Sequence, residues 1–184
     1  MNTAMFENQI TQDNIAKLKK YGIGVVEPQN GLLACGDTGA GKMPEPDFLF
    51  DVIEREIARE KDMLGKKVLV TAGATMESLD PVRFLTNHSS GKMGFAIAKE
   101  AMLRGAEVTV VKANTTAEIP NFVKIVEVSS AKDMFDAVTA LSDQQDIIVK
   151  AAAVADYTPE SYVDSKIKKK DGDLSIPLKR TMDI

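Results

Sequence analysis

Beyond residue 65 the apolar positions fall into short unbroken runs that alternate with stripes of helical period. KKVLVTAG, residues 66–73, is a run of the kind that forms a buried strand. After a long polar loop, Phe95, Ile97, Ala98, Ala101 and Met102 line one face of a helix, which Gly105 stops. AEVTVVKA (106–113) and VKIVEV (123–128) predict two more strands. Ser129 or Ser130 suits the N-cap of a helix over AKDMFDAVTAL (131–141), and DIIVKAAAVADY (146–157) predicts a further strand. Strands and helices alternating at this spacing imply parallel pairing through right-handed crossovers. The fold class predicted is therefore α/β, an open Rossmann-like, doubly wound, mainly parallel sheet.

The flanking segments lack this regularity. The first sixty residues run from a polar opening through a loop-like stretch, GLLACGDTGAGKMPEP, to a helix with Phe48, Val52, Ile53 and Ile57 on one face. Glu45 and Asp47 suit the positive end of that helix. It fades into a charged segment, Arg59 to Lys67, that reads as a linker. At the other end KIKKKDGDLSIPLKRTMDI alternates apolar and polar residues around Leu174, Ile176 and Leu178, as an exposed hairpin arm would. No helix follows to cover the sheet, so the sequence predicts an incomplete sheet and a fragment of a longer chain.

Composition changes this picture little. With 44% apolar and 27% charged residues in 184, the chain can build a packed core. Its 23 basic and 27 acidic residues give a net charge of -4, which argues against nucleic-acid or membrane partners held by bulk positive charge. No run is long enough to span a membrane and no basic-then-apolar leader opens the chain, so a cytoplasmic location is expected. One cysteine, Cys35, and one histidine, His88, cannot make a disulfide or a zinc site by themselves.

In an open parallel sheet, ligands bind beyond the carboxyl ends of the strands. After the first strand comes TAGATMESLDPVRFLTNHSSGKMG. There Gly73 lets backbone amides face a ligand, and Ser89, Ser90, Gly91, Lys92 and Gly94 lead into a helix N-terminus. Amides, hydroxyls, a lysine and a helix dipole suit a phosphate, although a polar loop that only caps the helix reads the same way. The small residues Ala152 and Ala153 can let a planar base lie against the backbone, with Asp156 meeting a ribose, a base edge or a metal; tight packing is the plainer alternative. The run Lys166 to Lys170 is either a solvated arm or a means of neutralising charge on a leaving pyrophosphate.

Two other frames fail. Gly36, Gly41 and Lys42 fit the GxxxxGK spacing of a P-loop, but Met43 stands where a magnesium-binding hydroxyl is needed, and Pro44 and Pro46 follow. A dinucleotide oxidoreductase would need GxGxxG after the first strand, where GATMES is found instead. Cys35, flanked by glycines and outside any apolar pattern, reads as an accessible thiol.

Taken in order, MNTAM, ACGDTGAGKMPEP, DPVRFLTNHSSGKMGFAIA, AAVADY and KIKK resemble one family, the bifunctional phosphopantothenoylcysteine decarboxylase and phosphopantothenate-cysteine ligase of bacterial coenzyme A synthesis. The resemblance implies three segments: 1–62 as the end of an FMN-dependent decarboxylase, 63–67 as a linker, and 68–184 as the first part of a CTP-dependent ligase. For the ligase it implies attack of the 4'-phosphopantothenate carboxylate on the α-phosphate of CTP, then displacement of CMP by L-cysteine. Asn87 would orient the acyl-cytidylate, Ala152 and Ala153 would line the nucleotide pocket, and Lys166, with Lys168 beside it, would stabilise developing charge. Asp156 and the Ser89 to Gly94 loop would serve CTP and its Mg2+. For the decarboxylase, Cys35 matches the clamp cysteine that helps return a proton, and Asn2 the asparagine that meets the substrate carboxylate. The family's catalytic histidine has no counterpart here, since His88 belongs to the ligase loop. Lys42 stands where arginine is usual and Met182 where proline is usual. The family also implies homo-oligomers. A nucleotide-binding or assembly fragment without turnover is the alternative function.

Overall fold

The computed structural model describes residues 1–169 and 172–184. The chain forms two compact units, Met1–Ile53 and Glu54–Ile184.

In the first unit the polar opening is helical. α1 (Thr3–Glu7) and α2 (Gln9–Lys20) bury no side chain, so no apolar stripe announced them. Their ends carry the signal instead. Asn2 and Asn8 accept from Met5 N and Ile10 N at 2.8 and 3.0 Å, and Lys17, Lys19 and Lys20 fill the last turn of α2. The stretch expected to be a loop is an antiparallel hairpin, β1 (Gln29–Leu32) with β2 (Thr38–Lys42). The GxxxxGK frame therefore lies in a hairpin and not ahead of a helix. α3 (Pro46–Ile57) begins on its proline, whose missing N–H has no partner to lose there, and carries the chain into the second unit.

The second unit is built on a four-stranded parallel sheet in the order β7-β6-β3-β8, where β3 is Lys67–Ala72, β6 Glu107–Lys112, β7 Lys124–Glu127 and β8 Ile147–Lys150. Alternation along β3 divides the core. Val68, Val70 and Ala72 pack with Phe95, Ala98 and Met102 of α4 (Lys92–Leu103), while Leu69 packs with Met134 and Val138 of α5 (Ala131–Ser142). The connection from β6 to β7 has no helix; Phe122 turns it at a φ of 64° and lies under Arg55, whose guanidinium is 4.9 Å from the ring centroid. Residues 63–67, read as a linker, are tied to this unit: Met63 packs against the α4 cluster, and its N–H donates to the Arg104 carbonyl at 3.0 Å.

The predicted strand 146–157 is shorter than its apolar run. β8 ends at Lys150, because the amides of Ala151 and Ala152 turn to the Thr71 hydroxyl. Two small antiparallel pairs complete the unit, β4 (Met76–Ser78) with β5 (Phe84–Thr86) and β9 (Tyr157–Pro159) with β10 (Leu178–Arg180). Among the described residues no helix is long and apolar enough to cross a membrane.

Candidate functional site

The sheet order places a topological switch point between β3 and β8. From β3 the chain builds outward to β6 and β7, then returns to the other side of β3. In open parallel sheets the crevice that binds ligands lies at such a point, beyond the carboxyl ends of the strands. Three glycines let the α4 end close on it. Gly73 (φ 87°) and Gly91 (φ 77°) adopt left-handed backbone, and a Cβ on Gly91 would lie 3.1 Å from Gly73 N. A Cβ on Gly94 would meet Ala72 Cβ at 2.7 Å and the Thr71 carbonyl at 3.0 Å. α4 thus starts against the end of β3, with Gly91 as an N-cap that offers no side chain. Ser89 and Ser90 reach back only weakly, accepting from Gly91 N and Lys92 N at 3.4 Å. Helix-start amides so lightly occupied, with the Lys92 side chain exposed next to them, are chemically suited to an anion.

The segment 151–156, which follows β8, is irregular and stitched down. Ala153 N donates to the Gly73 carbonyl at 2.8 Å, and Thr75 N to the Ala153 carbonyl at 3.2 Å. The Thr71 hydroxyl accepts from both Ala151 N and Ala152 N at 3.1 Å, and the Thr75 hydroxyl from Ala155 N at 2.9 Å. Asn87 joins them, its amide donating to the Val154 carbonyl at 3.1 Å. Asn87, Gly73, Ala152 and Ala153 are therefore brought together. Asp156 leaves this segment with an exposed side chain, at a cavity of about 440 Å³ that Thr71, Ala152 and Val154 also line. No group of three metal-binding side chains occurs among the described residues.

The lysine run stands elsewhere. Lys166 and Lys168 are exposed, and Ile167 between them binds the turn that joins β4 to β5. Its N–H donates to Asp80 Oδ2 at 3.0 Å, and its carbonyl accepts from Arg83 Nη1 at 2.8 Å. Among the described residues no hydrogen bond or ion pair joins Lys166 or Lys168 to Asn87, Asp156 or the Ser89–Gly94 loop. Lys170, part of the predicted run, lies outside the described residues. The Ile167 amide above all, with those of Val82 and Arg83 and the Arg83 charge, holds the Asp80 carboxyl below the usual carboxylate range against the cost of its burial.

Thr75, Glu77 and Asp80 were not legible as site-building residues. All are buried, and each accepts the amide of a distant segment: Ala155, Ala131 and Ile167 in turn. The Asp80–Pro81 pair is a turn signal, and the turn is there. The reach of its second oxygen across 87 residues had no signal in one dimension.

In the first unit, Asn2 and Cys35 line one cavity of about 410 Å³ with Leu33, Gly41 and Met43. Cys35 sits exposed in the β1–β2 turn, its thiol 3.5 Å from Asp37 Oδ2. Lys42 pairs with Glu45 at 2.7 Å.

The fold and site so described define a Rossmann-like α/β unit with a crevice at its switch point. Residues 63–184 match the family model for the DNA/pantothenate metabolism flavoprotein C-terminal domain, and residues 1–58 match a flavoprotein model. The chain belongs to that DNA/pantothenate metabolism flavoprotein family. It is 42% identical over its whole length to the coenzyme A biosynthesis bifunctional protein CoaBC of Bacillus subtilis, of which it covers 46%. The chain thus spans about half the length of the curated relatives it matches. Among solved structures, the C-terminal domain of a CoaBC protein is similar over 66% of this chain and 56% of its own, at 45% identity and a TM-score of 0.57. A DNA/pantothenate metabolism flavoprotein from Streptococcus pneumoniae is similar over 65% and 62%, at 26% identity and a TM-score of 0.58.

Proposed function

We propose that residues 68–184 form the nucleotide-binding, carboxylate-activating part of a phosphopantothenate-cysteine ligase, joined through 63–67 to residues 1–62 from the clamp end of a phosphopantothenoylcysteine decarboxylase. The relatives' role in coenzyme A biosynthesis supports this reading, and one observation of the structure carries it. Asn87, the Gly73 backbone and the stitched segment 151–156 meet at the switch point, and Gly91 at the lightly capped start of α4 lies so close that a Cβ on it would be 3.1 Å from Gly73 N.

In this reading the α4 amides, with Ser89, Ser90 and Lys92, take the phosphates of CTP, and the cytosine lies along Ala152 and Ala153. The 4'-phosphopantothenate carboxylate attacks the α-phosphate, and pyrophosphate leaves. Asn87 orients the acyl-cytidylate, whose carbonyl the amine of L-cysteine then attacks, releasing CMP. Activating a carboxylate needs positioning and charge neutralisation more than a strong base, which suits a crevice of amides and lysines. Lys166 and Lys168, held on a separate loop by the 80–83 turn, would supply neutralisation. Asp156, a single exposed carboxylate, fits a Mg2+ that arrives on the triphosphate, because that ion keeps most of its ligands as water and phosphate oxygen. When bound, it would offset charge on the departing phosphates. Homo-oligomers are part of the same proposal.

In the first unit Asn2 would hold a substrate carboxylate and the Cys35 thiol would return a proton at the shared cavity. FMN is the cofactor class that the flavoprotein match suggests. The described residues of this unit form helices and a hairpin and no parallel strand to seat a flavin, so no step is derived through it.

Incubating this chain with 4'-phosphopantothenate, CTP and magnesium, without cysteine, tests the reading by mass spectrometry. The acyl-cytidylate and pyrophosphate are expected, with loss of both in Asn87→Ala. CTP left intact would overturn it and favour a binding or assembly module without turnover.

A further inference from the structure

Asp80 is 2% exposed and spends its two carboxylate oxygens on different tasks. Oδ1 accepts from Val82 N and Arg83 N at 2.7 and 2.8 Å, which closes the local turn. Oδ2 accepts from Ile167 N at 3.0 Å and from Arg83 Nη1 at 3.2 Å, and the same Nη1 donates to the Ile167 carbonyl at 2.8 Å. Both backbone groups of Ile167 are thus held by one ion pair. Among the described residues of 164–169 this bracket is the sole hydrogen-bonded attachment to the rest of the protein; the nearest other tie is Val163 N to the Leu79 carbonyl at 3.1 Å. The loop otherwise hangs from the β9–β10 pair, where Glu160 N meets the Pro177 carbonyl at 3.0 Å. A long loop held only at its base spreads its side chains over a large volume. With Ile167 half-buried and bracketed, the lysines on either side are turned outward at one place.

We propose that Asp80 is a positioning residue, whose buried carboxylate clasps the 163–169 loop to the 80–83 turn and so sets where Lys166 and Lys168 meet the phosphates of a bound nucleoside triphosphate. This rests on the nucleotide reading above. It adds a residue with no contact to the crevice itself, and makes the lysines' contribution conditional on a carboxylate they do not touch.

Asp80→Asn separates the two tasks. The amide keeps Oδ1 for Val82 and Arg83 but turns a donor toward two donors, Ile167 N–H and Arg83 Nη1. Amide exchange of Ile167 by NMR reads the bracket. Ser130 N, held by Asp133 Oδ2 at 2.9 Å, serves as internal reference. Calorimetric titration with CTP and magnesium reads the consequence in wild type, D80N, K166A and the double variant. The expected result is Ile167 exchange at least about tenfold faster in D80N with Ser130 unchanged, and CTP binding about tenfold weaker. In the double variant the two losses should not add, because Asp80 acts through the lysine; a merely structural carboxylate would give additive losses. Unchanged Ile167 exchange overturns the clasp. Faster exchange with undiminished CTP affinity, while K166A weakens binding, overturns the positioning role and leaves the nucleotide reading standing. A wild-type chain that binds no CTP overturns that reading and the positioning role with it, whatever Ile167 does. Should D80N fail to fold, Ile167→Pro deletes the donor with Asp80 in place. Val163 exchange and CTP affinity are then read the same way.

Discussion

Between Thr71 and Asp80 the chain buries four polar side chains, and none of the four serves only its own neighbourhood. Thr71 and Thr75 hold the segment 151–155, Glu77 holds the start of α5, and Asp80 holds Ile167. Each is an acceptor matched to a backbone donor that would otherwise be unpaired in a place with little water. Replacing Thr75 with valine keeps the shape and removes the acceptor for Ala155 N, a bond buried at 2.9 Å. The expected cost is about 1–3 kcal/mol, read as a lower urea midpoint at unchanged slope. Asn87 is a different case, legible from its motif yet ambiguous in role. Its amide donates to Val154, so part of its work is to shape the crevice wall.

Two helices of the second unit show opposite treatment of the same end. α5 begins with a reciprocal box, in which the Ser130 hydroxyl accepts from Asp133 N at 3.1 Å while Asp133 Oδ2 accepts from Ser130 N at 2.9 Å. Glu77 adds a buried carboxylate on Ala131 N at 2.8 Å. α4 begins on Gly91 with no such cap. In the nucleotide reading proposed above, α4 and not α5 is the phosphate end, because the amides at its start are the ones only weakly capped by side chains. Ser130→Ala should therefore cost about 1 kcal/mol of stability in urea denaturation and leave CTP affinity unchanged. The choice between Ser129 and Ser130 as cap was open in the sequence. It was decided by Asp133, which stands three residues after Ser130 and so completes the box. α1 and α2 escaped notice for the converse reason, since their asparagine caps precede helices without a buried face.

Across the second unit, four carboxyls are held below the usual carboxylate range, each mainly by a donor on another element or at a helix start. Arg104 does this for Asp62, the Ile167 amide for Asp80, the Ser130 amide for Asp133 and the Lys67 amide for Asp146. A lowered folded-state value means that the unfolded chain takes up protons first as the pH falls. The stabilisation is complete above the ordinary carboxylate value of about 4 and is lost as pH falls through the lowered values. Urea midpoints followed from pH 7 to pH 3 should be nearly flat down to about pH 5 and fall below about pH 4. A flat profile to pH 3 would show that these bonds contribute nothing to the folded state.

At this scale the division of information is physical. Apolar runs and stripes are local, so β3, β6, β7, α4 and α5 and the parallel sheet they form were determined by the sequence, as were the loops that could carry chemistry. Strand order, and with it the switch point, depends on which side of β3 the chain returns to, a choice made by packing two helices on opposite faces of one sheet. The end of β8 was decided by a Thr71 hydroxyl that competes with the strand for two amides, about 80 residues away along the chain. The bond from Ile167 to the buried Asp80 carboxylate was decided by the tertiary structure, because a hydrogen bond between remote segments leaves no period in either of them.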